Sequence, residues 1–333
     1  MRKIKIGFIG TSKMSHGSQI FERVREFDDV FEVAGYTFPE NEREKFPEQC
    51  KIFEGYNEIS LDEMLNDDSI EAVFVETEEI YLSKYAKMAA EHGKHIHMEK
   101  PGGTSLSDFE AMIDAVKRGG KVFHTGYMYR YNPNVKALMK KVKSGELGEI
   151  ISVDAQMNCY HLPENRQWLE CLEGGMMFWL GCHLVDIILQ IKGQPDEIIP
   201  LSTSTGVDGV TSTDFGMAVF KYKNGISLAK TSATDIGGFA RRNIVVTGTK
   251  GSVEIKPIEM GTAGGQYSDM TEYKVPLRWD NLGETTRCEL FQRYDEMILS
   301  FAAMVRGEKE NPYTYNYELE LYKTVLRASG MTV

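Results

Sequence analysis

The sequence predicts an α/β protein, with a doubly wound parallel sheet in its N-terminal part and an α+β part with an open, mainly antiparallel sheet after it. Three observations carry that prediction. Over residues 1–125, short β-branched runs alternate with amphipathic stretches, the pattern that lays strands parallel with helices on both faces. After about residue 148 the runs alternate apolar and polar residues and are joined by turn residues, foremost Asn224-Gly225, as antiparallel hairpins are. The length of 333 residues is also more than one core usually serves. The two domains are drawn at 1–125 and 126–333.

In order, KIKIGFIG (3–10) is the first strand and FEVAGYT (31–37) the second; EAVFVET (71–77), KHIHME (94–99) and KVFHTGY (121–127) follow. Between them, IYLSKYAKMAAEHG (80–93) sets Ile80, Tyr81, Lys84, Tyr85, Met88 and Ala89 at helical spacing and stops at Gly93, a helix-ending residue. SDFEAMIDAVKRGG (107–120) repeats that form. The acidic run ENEREKFPE (40–48) reads as a solvated helix. In the second part EIISVDAQMNCYH (149–161) is a long strand, and STDFGMAVFKYKNGISLAKTSAT (212–234) is a hairpin. RRNIVVTGTKGSVEI (241–255) is another hairpin, turning near GTKG. Helices are expected over about 288–306 and 316–329, the last returning to the first domain.

Composition narrows the function classes. With 42% hydrophobic and 26% charged residues, the chain can build cores. A net charge of -11 argues against nucleic acid or an anionic membrane as partner, because both need clustered cations. No apolar run approaches the ~20 residues of a membrane span, and the one near the start is too short for a signal peptide. Five scattered cysteines suit reduced thiols in a cytoplasmic protein better than a disulfide framework.

Three stretches carry chemistry. In GFIGTSKMSHG the slots of a dinucleotide fingerprint hold Gly10, Ser12 and Ser15. Only the first is the glycine that the tight turn wants. The stretch still follows a strand and opens a helix, so Gly10, Thr11, Ser12, Lys13 and Met14 are candidate cofactor contacts at a helix N-terminus. Roughly 20 residues on, where an acid reads the ribose, stands Thr37. NAD is favoured because Glu40 and Glu42 would repel a 2′-phosphate, while Arg43 and Lys45 keep NADP open. In GKHIHMEKPGG (93–103), Glu99 and Lys100 fall at a strand's carboxyl end, outside which ligands lie in such sheets. Pro101 stops the strand and two glycines turn the chain. An ammonium there can stabilise negative charge growing on a reacting oxygen, while Glu99 holds either the lysine or the cofactor. In EGGMMFWLGCHLVDIILQIKG (173–193), His183 and Asp186 share a helix face, so the carboxylate can orient the imidazole. The double glycine before them implies something packed closely against it.

GFIG, GKHIHMEKP, YRYNP (129–133), EGGMMFWLGCHLVD and VTGTKGSVEI (246–255), taken in order, resemble the Gfo/Idh/MocA family of NAD(P)-dependent oxidoreductases over nearly the whole chain. The resemblance implies a Rossmann domain, an open-sheet domain, and hydride transfer on a sugar, cyclitol or related carbon. It implies Lys100 and His183 as catalytic residues, and oligomers (dimer or tetramer) through the outer face of the second sheet. Departures are plain. Trp179 stands where the family's polyol dehydrogenases carry an aspartate, and Thr77-Glu78-Glu79 stands where the family has TPN. By the same likeness NCYHLPENRQW (158–168) faces the nicotinamide, so Tyr160, His161, Arg166, Trp168 and Trp179 join Asp186 as candidate substrate contacts, and Thr77 and Glu99 join the cofactor set. Tyr129 and Arg130 read as structural. No metal is expected, since Cys159-x-His161 with His183 is not a trusted zinc spacing. Carbohydrate oxidoreduction is the leading reading. A redox-assisted glycosidase or lyase with tightly held NAD is the second, and a non-catalytic nucleotide- or sugar-binding regulator the third.

Overall fold

The computed structural model describes residues 2–274 and 279–333. The chain divides into two compact units, one formed by 1–127 with 294–322 and the other by 128–293 with 323–333.

The first unit is a five-stranded parallel sheet, β1 (Ile4–Ile9), β2 (Phe31–Thr37), β3 (Ala72–Val75), β4 (His95–Met98) and β5 (Phe123–Thr125), in the order 2-1-3-4-5. That order reverses direction between β1 and β3, which places the ligand crevice at their carboxyl ends. β3 reads as a continuous apolar run because it is fully buried, as a strand covered on two faces must be, and β1 departs from that only at the half-buried Lys5. Phe8, Phe74 and Phe21 fill the sheet's centre, with Phe8 stacked on Phe74 at 4.8 Å and edge-on to Phe21 at 4.9 Å. Helices Gly17–Glu26, Leu82–Glu91 and Leu106–Gly119 flank the strands. Helix Asp295–Val305 joins them, laying Phe301 edge-on to Phe74 at 5.4 Å. The last helix, Tyr315–Ala328, stacks Tyr322 on Phe109 at 4.0 Å and donates from its hydroxyl to the Gly103 carbonyl at 2.8 Å.

The second unit carries an eight-stranded sheet. Its strands are β6 (Ile150–Gln156), β7 (Glu197–Pro200), β8 (Phe215–Tyr222), β9 (Gly225–Ser232), β10 (Asn243–Gly248), β11 (Gly251–Ile255), β14 (Asp269–Lys274) and β15 (Glu284–Arg287); β12 (Met260–Thr262) and β13 (Gly265–Tyr267) form a separate hairpin. All neighbours in the large sheet run antiparallel except β6 and β9, which are parallel. Helix Cys182–Lys192 is buried through Leu189.

Three expectations shift. Tyr222 pairs with Gly225, so the tight turn is Lys223-Asn224 and the glycine begins the next strand. The helix expected from 288 starts at Asp295, because Cys288 and Phe291 are drawn into extended pairing with Ser268 and Gln266. The run 40–48 is not simply solvated: Glu42 is 0% exposed.

Candidate active site

In the first unit the fingerprint turn is built on Gly10, whose φ is +82°. A side chain there would need a Cβ 2.5 Å from that of Thr77, so both the turn and the close approach of β3 require glycine. Ser12 does not present its hydroxyl outward. Its Oγ accepts from the Ser15 amide at 2.9 Å and the Met14 amide at 3.2 Å, which fastens the loop internally. Lys13 is exposed and Met14 half-buried. Thr37 is buried, and its carbonyl accepts from Gly10 N at 2.8 Å.

At the carboxyl ends of β3 and β4 lies a buried polar cluster. Lys100 is 1% exposed, with Nζ 3.6 Å from Oε1 of the fully buried Glu99. The other Glu99 oxygen faces Nδ1 of His16 at 3.4 Å. Burial pushes the Glu99 carboxyl up, but His16 first, then Lys100 and His97, pull it below its ordinary range. Glu76, one strand over, goes the opposite way: burial first, then the charges of Glu99 and Glu79, hold it well above that range. Two buried carboxyls that repel one another cannot both ionise cheaply, so Glu76 is the one that keeps its proton. His97 stands 3.5 Å from Glu76 and 2.7 Å, Nδ1 to Nδ1, from His124. Burial depresses His97 to about 4, so its ring is neutral near pH 7.

In the second unit a π-helical turn, Met177–Gly181, runs into helix Cys182–Lys192; such turns recur at functional sites. What packs against the double glycine is the chain at Thr213, because a Cβ on Gly175, at φ +52°, would collide with its carbonyl oxygen. His183 is 1% exposed and sits against the Tyr129 ring edge-to-face at 4.9 Å. Tyr129 donates its hydroxyl to Glu259 at 2.6 Å and accepts from Arg242 at 3.0 Å; Arg293 grips Glu259 with two bonds of 2.8 Å. Trp179 lies edge-on to the half-buried Trp168 at 5.8 Å and tilted against His161 at 5.5 Å. Tyr160 is 50% exposed. Among the described residues, no group of three His, Cys, Asp or Glu side chains is arranged to hold a metal ion.

Residues 4–127 match the oxidoreductase family with an NAD-binding Rossmann fold, and 135–254 match the GFO/IDH/MocA C-terminal domain. The chain belongs to the Gfo/Idh/MocA family. It is similar to D-xylose 1-dehydrogenase (NADP(+)) 2 of Haloferax volcanii, 28% identical over 53% of this chain and 54% of that protein. Myo-inositol 2-dehydrogenase of Thermotoga maritima is 24% identical over 75% of this chain and 74% of its own. A levoglucosan dehydrogenase solved with NADH and levoglucosan shares the fold, with a TM-score of 0.79 at 16% identity over 99% of this chain and 98% of that one. The match spans about half the length of the first of these relatives.

As a member of the family the chain carries an NAD-binding Rossmann domain, and its residues fit a dinucleotide. The Gly10 turn joins β1 to the helix that starts at Gly17, the place where such folds hold a pyrophosphate. The Thr11 hydroxyl is buried without a hydrogen-bond partner among the described residues, the Glu99 oxygens meet only the longer reach of His16 and Lys100, and ribose hydroxyls are groups that could serve all three. Two expected substrate contacts are placed otherwise. Arg166 is fully buried, paired with Asp208 and, at 3.2 Å, with Asp214, and it donates to the carbonyls of His161 and Val207. Its guanidinium ties the loop 161–168 down. Asp186 accepts two bonds from Arg130, at 3.0 and 2.9 Å, and a third from Gln190 at 2.9 Å. Its carboxylate is therefore committed to a buried ion pair. His16, Glu42, His97, Tyr129 and Arg242 enter the sites from outside the expected contacts; His16 and His97 lie inside quoted motifs, whereas the sequence marks Glu42 only as a charge against a 2′-phosphate and Tyr129 only as structural.

Proposed function

We propose that this chain is an NAD(H)-dependent oxidoreductase that moves a hydride between the nicotinamide and a hydroxyl carbon of a sugar, glycoside or cyclitol. The supporting observation is Lys100, a nearly inaccessible ammonium 3.6 Å from Glu99 at the carboxyl end of β4. A desolvated cation has full electrostatic effect on a nearby oxygen, and keeping one buried is costly unless it is used or paired. The nicotinamide, when bound, supplies the hydride acceptor or donor.

Within this reading the residues divide the work. Lys100 hydrogen-bonds the substrate hydroxyl and stabilises its oxygen as negative charge grows. His183 takes the hydroxyl proton as general base. The Tyr129 ring fixes the plane of that imidazole through their edge-to-face contact. Trp168, Trp179 and His161 offer apolar faces with polar edges, as a sugar ring demands. The relatives named for xylose and myo-inositol support a polyhydroxylated substrate. Assembly into homo-oligomers belongs to the same proposal.

The test is a panel of free sugars, glycosides and cyclitols with NAD, following NADH and products together. NADH formed in step with a ketone or lactone supports the proposal. Aglycone released with no net NADH would replace it with redox-assisted cleavage, and dinucleotide binding without any product would replace it with a sensor.

A further inference from the structure

We propose that Glu42, and not a residue at the end of β2, reads the adenosine ribose of the dinucleotide and selects one without a 2′-phosphate. The proposal rests on the dinucleotide-dependent reading above. In a sheet ordered 2-1-3-4-5 the adenosine half lies outside the β1 and β3 carboxyl ends, where an acid at the end of β2 accepts from ribose hydroxyls. Here that position is Thr37, a hydroxyl that cannot offer two acceptor oxygens. The acid that stands at the switch point itself is Glu42. It is 0% exposed. One oxygen accepts from the Thr11 amide at 3.1 Å, just past β1, and the other is hydrogen-bonded to the Thr77 hydroxyl, just past β3. That second oxygen lies only 2.9 Å from where a Cβ on Gly10 would stand. The acid thus touches both sides of the switch point.

The backbone is bent to deliver it. Glu40 and Asn41, the two residues before it, both have φ of +59°, two of only three non-glycine residues with positive φ among those described. That conformation is strained for residues other than glycine. The bend is pinned by Glu40, which accepts from Lys84 at 2.6 Å and Tyr85 at 2.7 Å, and by Lys45, which donates to Glu78 at 2.7 Å. Nothing cationic compensates the Glu42 carboxyl in the contacts above, so burial lifts it to about 8 against the pull of Thr77 and Thr11. At the same turn the Thr11 hydroxyl is buried with no hydrogen-bond partner among the described residues. A vicinal diol would give the Thr11 hydroxyl an acceptor and, in place of the Thr77 hydroxyl, would give Glu42 an O–H donor, which favours the ionised form over the protonated one that burial keeps. The Thr77 hydroxyl can rotate away to release its bond. A 2′-phosphate offers no such donor and would bring a dianion into a place where burial already disfavours charge. The cations nearby do not rescue it, since Arg43 is paired with Glu58 and Lys45 with Glu78.

The experiment is calorimetric titration of the purified full chain with NAD, NADP and ADP-ribose, comparing wild type, Glu42→Gln and Thr37→Val, with melting curves to show that each variant folds. Wild type should bind NAD at least about 30-fold more tightly than NADP, the weight of a charge-assisted hydrogen bond. Glu42→Gln should weaken NAD and ADP-ribose by about 10-fold or more, leave NADP unchanged or tighter, and so collapse the ratio. Thr37→Val should leave the ratio in place. A ratio that survives Glu42→Gln, or is lost in Thr37→Val, overturns the proposal. So does NAD binding that tightens in Glu42→Gln, which would make the carboxyl an obstruction. Wild type binding none of the three ligands would overturn the dinucleotide reading itself, and this proposal with it.

Discussion

Replacing Glu42 with glutamine should remove a pH dependence from the stability of the ligand-free protein. Burial lifts this carboxyl from an ordinary 4.5 to about 8. The folded state therefore holds a proton that the unfolded chain releases. The stability this adds is complete below 4.5 and is lost as pH rises through 8. At ~1.4 kcal/mol per pKa unit, the part lost between pH 6 and pH 9 comes to about 3 kcal/mol. Glutamine copies the protonated acid: its carbonyl can accept from the Thr11 amide and its amide can donate to the Thr77 hydroxyl. Urea unfolding of both proteins at pH 6, 7, 8 and 9, at fixed ionic strength, gives the difference directly. Histidines held low by burial, His95 and His97, are common to both proteins and cancel. The wild type should lose ground to Glu42→Gln by about 3 kcal/mol across that range. A difference that stays flat within about 0.5 kcal/mol, or moves the other way, would refute the buried acid.

Four further outcomes are expected. Lys100→Ala should cut turnover by about 100-fold or more while leaving NAD affinity within a few-fold; equal loss of both would make the lysine a cofactor contact alone. Gly10→Ala forces a Cβ to within 2.5 Å of Thr77 at φ +82°, so it should cost about 2–4 kcal/mol and abolish NAD binding by calorimetry. On the acid side, His97 is held at about 4, so its contribution is complete above 6.5 and lost as pH falls toward 4. His97→Gln should therefore lose about 2 kcal/mol less than wild type between pH 7 and pH 5, by denaturant midpoint. Arg166→Met leaves the fully buried Asp214 without its cation and should cost about 3–5 kcal/mol; adding Asp214→Asn should return part of it.

The legible part of the site was the part written locally. Glu99 and Lys100 are found at a strand end because an apolar run, a charged pair, a proline and two glycines follow one another in the chain, and each acts on its neighbours. The fingerprint turn reads in the same way through Gly10. The helix bearing His183 was legible from its apolar periodicity, though not the π turn before it.

Sequence by itself determined the two grammars, a parallel α/β part and an antiparallel part, along with the strand ends that carry Lys100 and the fingerprint. Period and turn chemistry act over a few residues, so they survive without knowledge of the rest of the chain. Tertiary structure alone decided which polar groups turn inward and with whom they pair. Glu42 meets Thr11 across 31 residues and Thr77 across 35, Arg166 meets Asp214 across 48, and Arg130 meets Asp186 across 56. A charge in a sequence looks solvated until the fold closes over it, and only a long-range partner makes its burial tolerable. Such partners leave no periodic trace in the chain.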